Sequence, residues 1–124
     1  MTRRRLELLQ WFALFAGPWA WATQHVLAFA ISNSECAIPV RGWNLPTWWL
    51  QILISAVVGT VVLAAEGAAY IVFRATQSVD SYAPGPEGRI HFFAQAALLG
   101  NVLFLVIVVL DVVGTLFNLP CRTG

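Results

Sequence analysis

Residues 90–117 read IHFFAQAALLGNVLFLVIVVLDVVGTLF, and this stretch decides the fold. Asp111 is its only acid, and nothing in it breaks a helix. A helix needs roughly 20 apolar residues to cross the hydrocarbon core of a bilayer. Two further runs of that kind precede it, at residues 6–31 and 47–73. Each is long enough to span with some tilt. Three spans cannot close a barrel, so helices are the only way to satisfy their backbone groups in lipid. The expected fold is therefore all-α: one membrane domain over residues 1–124, an integral three-helix bundle.

Composition points the same way. Of 124 residues, 59% are hydrophobic and 10% are charged, against about 25% charged in a water-soluble domain. The net charge is +1, too small for the basic patch that nucleic acid requires. All seven basic residues are arginine. Met1-Thr2-Arg3-Arg4-Arg5 before an apolar run resembles a signal peptide, but residues 6–31 far exceed the usual apolar region of one. The expectation is a retained anchor.

The arginines set the orientation. Arg3, Arg4, Arg5, Arg74 and Arg89 fall on one side, and Arg41 and Arg122 on the other. The side richer in arginine is cytoplasmic, which puts the N-terminus inside and the C-terminus outside. Trp43, Trp48 and Trp49 then flank the outer end of the second span, and Trp11 the inner end of the first, as belt residues do. Trp19 and Trp21 lie deeper, and an apolar cleft beside them would suit a lipid or a quinone. The outer loop at 33–46 holds Pro39, Gly42 and Pro46 and is expected to be irregular. The inner loop at 75–88, with Pro84-Gly85-Pro86-Glu87-Gly88, is expected to turn. No internal repeat is visible.

Cys36 and Cys121 fall on the same outer, oxidising side under a topology set by arginines alone. A structural disulfide between them is chemically favoured there and would tie the third span to the first loop. A redox pair or copper site is the rival reading. It lacks the His or Met ligands that soft metals recruit.

Polar groups inside a span are costly and mark functional candidates. They are Gln24 and His25 on the first span, Glu66 on the second, and Gln95, Asn101 and Asp111 on the third. By helical rise, His25 and Asp111 lie about 10 Å to the outer side of their midpoints, and Glu66 about 9 Å to the inner side. His25 with Asp111 is the natural outer pair, and Glu66 with Gln95 or Asn101 the inner one. Ser55, Gly59, Val62 and Glu66 share one helix face. So do Ala96, Gly100, Phe104, Ile107, Asp111 and Gly114, and small residues at such spacing mark faces where helices approach closely. These groups suit either a proton relay or interhelical hydrogen bonding. His25 and His91 differ in depth by roughly 20 Å or more, so they cannot sandwich one haem. No cofactor is expected on this chain alone. Gly17-Pro18 bends the first span, since proline frees the carbonyl of Leu14. Ala13, Gly17, Ala20, Gln24 and Ala28 line one seam.

The run Phe15-Ala16-Gly17-Pro18-Trp19-Ala20-Trp21-Ala22-Thr23-Gln24-His25, followed by Cys36, resembles small bacterial membrane proteins of unknown function encoded near haem-copper cytochrome oxidases. The resemblance covers the first span and the cysteine placement. It implies a multi-pass protein of the bacterial inner membrane that accompanies a respiratory oxidase or related electron-transfer assembly. It carries over no catalytic residues. The residues themselves show no nucleophile–base arrangement and no phosphate-cradling glycine loop, so no enzyme is expected. Three functions remain: a non-catalytic accessory subunit docked on larger membrane subunits and lipids, a small oligomeric channel or proton-coupled transporter using Glu66, or a haem or copper assembly factor.

Overall fold

Each apolar run becomes one helix in the computed structural model, which describes residues 1–37 and 47–117, with the side chains of 1–34 and 48–117. Helix α1 spans Arg3–Ala37, α2 Thr47–Ala75 and α3 Pro86–Phe117. At 35, 29 and 32 residues they run to about 44–53 Å at 1.5 Å per residue, longer than the roughly 30 Å hydrocarbon core. Each helix packs against the other two.

The ends follow local chemistry. The glycine- and proline-rich run is not all loop: Gly85 takes a φ of 107°, a region open to residues without a Cβ. Pro86 then opens α3, its fixed φ suiting the first helical position, and Glu87 sits favourably in that first turn. A Cβ on Gly88 would run into the carbonyl of Ala83, so the turn closes tightly there. At the other boundary, α1 continues through 33–37, which the loop was expected to occupy. Helix α1 also runs on unbroken through Pro18.

The core is three stacked clusters. Val72, Ile90 and Ala94 pack with Leu6, Leu9 and Phe73 at the end that holds the α2–α3 loop. Ala13, Ala68, Ala69 and Ala97 form the middle, where small side chains let backbones approach. Val58, Val62 and Val108, with Phe104 and Leu105, fill the opposite end.

Two of the helices, α2 from Trp48 and α3, are long and apolar enough to cross a membrane. Helix α1 is the longest but falls short in composition, because Gln10, Gly17, Pro18, Thr23, Gln24 and His25 dilute its apolar run. The buried face of α2, with Ser55, Val58, Val62, Ala65, Ala69 and Val72, agrees with the face expected around Ser55 and Val62. Helix α3 differs. It buries Ile90, Ala94, Ala97, Asn101 and Val108, whereas Ala96 is exposed and the Cβ position of Gly100 meets nothing within 4 Å. Two small-residue faces compete on α3, and the one carrying Asn101 wins because the amide finds partners inside.

Candidate functional site

Asn101 is the centre of the polar interior. It is 2% exposed, and its Nδ2 donates to the Ala13 carbonyl of α1 at 3.0 Å. Gly17, one turn along α1, makes this possible. A Cβ there would lie 2.6 Å from Asn101 Oδ1 and 3.4 Å from the Phe104 ring. The Glu66 carboxyl of α2 lies near the same Asn101 side chain, while Glu66 Oε2 is buried without a hydrogen-bond partner. One amide therefore meets groups from both other helices. Of the two partners expected for Glu66, Asn101 is the nearer one, while Gln95 bonds elsewhere.

Gln95 is drawn into a second network nearer the α2–α3 loop. Thr76 Oγ1 donates to the Val72 carbonyl at 2.8 Å. Having spent its proton, it accepts from His91 Nδ1–H at 2.8 Å. That assigns His91 the tautomer protonated at Nδ1, leaving Nε2 to accept from Gln95 Nε2 at 3.3 Å. Gln95 Oε1 in turn accepts from Ser81 of the loop at 3.2 Å. Phe73 stacks on the imidazole, 5.3 Å between centroids and 20° between planes. Both ring nitrogens of His91 are thus engaged within the bundle. Thr76 and Ser81 lie in a segment that reads only as loop, so nothing in the sequence singled them out. Replacing Thr76 with Val strands the imidazole N–H in a buried position. The expected cost is about 1–3 kcal/mol, read as a lower denaturation midpoint, with Thr76→Ser close to the unsubstituted chain.

A third group sits toward the opposite end. Gln24, 3% exposed, donates from Nε2 to Ser55 Oγ at 2.9 Å and ties α1 to α2. The seam from Ala13 through Gly17 to Gln24 is thus a packing face. His25 and Asp111 do not pair. His25 is exposed, its ring 5.6 Å from Trp21, and the one ion pair among the described residues is Arg3–Glu7 at 3.2 Å. His25 lies on the outward face of α1, so equal depth in the sequence does not bring it to Asp111.

An open apolar groove between α1 and α2 is lined by Ala16, Trp19, Ala20, Val57 and Val61, among others. Trp19 belongs to it as expected. Trp21 turns toward α3 instead, 6.0 Å from the Phe104 ring. Among the described residues, no group of three His, Cys, Asp or Glu stands close enough to hold a metal ion. The expected Cys36–Cys121 pairing, and the placement of Arg41, Trp43 and Arg122, lie outside the described residues. No family profile, curated protein or solved structure matches the chain.

Proposed function

We propose that this chain is a three-span protein of the bacterial inner membrane, N-terminus in the cytoplasm, serving as a non-catalytic accessory or stabilising subunit of a larger complex. The complex is a respiratory cytochrome oxidase or a related electron-transfer assembly. The observation that carries the reading is the inversion of the surface. Leu99, Leu103 and Leu110 are 74%, 64% and 61% exposed, while Gln24, Ser55, His91 and Asn101 are turned inward. A water-soluble bundle does the opposite, because contiguous exposed apolar surface marks a membrane or a partner. Exposed Ala64, Gly67 and Ala96, beside open Gly100, add faces on which another helix can lie close. Loops this short build no extramembrane domain. The third span rests on α1, where Gln10 and Gln24 are buried against the other helices, leaving Thr23 and His25 as the polar side chains exposed at mid-helix.

The channel or transporter reading has one observation in its favour, the unpartnered Glu66 Oε2. A mild-detergent pull-down of the tagged chain from its native membranes separates the two. Large subunits in fixed ratio, with haem bands in a reduced-minus-oxidised spectrum, are the expected result. A colourless homo-oligomer without partners would sink the accessory reading and turn attention to Glu66-dependent transport.

A further inference from the structure

Along the outer rim of the seam between α1 and α3, the side chains change in character with depth. The two helices run parallel, since the ring contacts Trp11–Phe93 and Trp21–Phe104 ascend both together. Residues three, four or seven positions apart share a helix face. On α1 that places Arg4 and Leu8 on the rim with Trp11 and Phe15, whose rings stack at 5.4 Å. On α3 it places Arg89 above Phe93, with Ala96 and Gly100 following below. The Trp11 and Phe93 rings, 6.2 Å apart, fix the level. By helical rise Arg4 stands about 10 Å from Trp11 toward the end that holds the α2–α3 loop, and Arg89 about 6 Å from Phe93 the same way. The two arginines therefore head the seam within about one turn of each other.

Both are exposed, and among the described residues neither forms an ion pair. Glu7 is the acid on this rim, and Arg3 holds it at 3.2 Å. Glu87 is two positions from Arg89, which turns it to the far side of α3. Beneath the arginines the rim is apolar: Leu8, Trp11 and Phe15 are exposed. Ala96 is exposed too, and a Cβ on Gly100 would meet nothing within 4 Å. A shallow trough thus lies under the rings.

We infer that this seam binds one anionic phospholipid, its phosphate on Arg4 and Arg89 and an acyl chain along Phe15 over Ala96 and Gly100. Guanidinium forks match phosphate oxygens, and basic sites between spans on the cytoplasmic side take anionic headgroups. Trp11, apolar in body with a polar edge, suits the level between. The charge selects the occupant. A partner helix could fill the trough but would need an acid at its end, whereas an anionic lipid brings charge and tail together. The inference rests on the membrane reading and adds to it a lipid class and a place.

The test reconstitutes the full chain into phosphatidylcholine vesicles containing a minor fraction of phosphatidylglycerol, either lipid being brominated near the top of its acyl chains. Bromine quenches nearby indoles, and the Trp11 share is the difference from Trp11→Phe. Brominated phosphatidylglycerol is expected to quench that share at about one tenth the mole fraction that brominated phosphatidylcholine needs. The preference should vanish in Arg4→Gln/Arg89→Gln and persist in Arg5→Gln/Arg74→Gln, which removes the same charge off the seam. Equal quenching by both lipids overturns the inference and leaves the membrane reading standing. A preference lost alike in both double variants overturns it too, since net charge alone would then attract the lipid. Quenching by neither lipid overturns the membrane reading and the inference with it.

Discussion

Leu103→Arg should drive the chain out of the membrane fraction, with an insertion penalty of about 2.5–3.5 kcal/mol for an arginine at mid-helix. Leu103 lies near the middle of α3 and is 64% exposed, so the substitution disturbs no packing inside the bundle. That makes it a test of the solvent. On a helix facing water, the same change at so open a position alters stability by no more than about 0.5 kcal/mol and improves solubility. Facing lipid, it lowers the fraction that resists alkaline extraction and exposes the chain to degradation. A Leu103→Arg variant that is folded and monomeric without detergent would refute the membrane assignment outright.

The second large effect concerns Gly17. By helix propensity alone, Gly17→Ala should stabilise α1 by about 1 kcal/mol. The structure predicts the reverse sign. The new methyl would sit 2.6 Å from Asn101 Oδ1, and the amide cannot swing aside without losing its 3.0 Å bond to the Ala13 carbonyl. Overpacking of this kind costs about 1–3 kcal/mol, leaving a net loss of about 0–2 kcal/mol once the propensity gain of about 1 kcal/mol is subtracted. Titration with a denaturing detergent would measure it. Because the two residues touch, Gly17→Ala combined with Asn101→Ala should lose less than the sum of the single changes. Strict additivity would show that the contact carries no strain.

Three helices with nearly their observed limits were legible in the runs 6–31, 47–73 and 90–117, because so few charges interrupt them. That Glu66 lies at the level of Gln95 and Asn101 was legible from helical rise alone, since depth is a one-dimensional property that sequence position encodes; the choice between them was not. Which face turns inward is not of that kind. Ala96 and Gly100 read as the packing face, and the demand of Asn101 for partners turns Ala94 and Ala97 inward instead. Pairing across a gap is harder still. His25 and Asp111 are expected at one level, yet His25 faces out of the bundle and forms no pair with Asp111. The Thr76–His91–Gln95–Ser81 chain was out of reach because it depends on how the turn at 76–85 folds back over α3, a property of several backbone angles at once. Its residues are ordinary loop and helix-end residues until that turn is made.

The Asn101 bond to Ala13 also has a timetable. Donor and acceptor are 88 positions apart, and at a synthesis rate of about 5–20 residues per second the wait is about 4–18 s. Through that interval the Ala13 seam, already emerged and already helical in register, has no interior to face. Whatever receives the nascent chain must shelter a glycine-lined polar stripe until the third helix arrives, and the first segment made is the last to be locked in place.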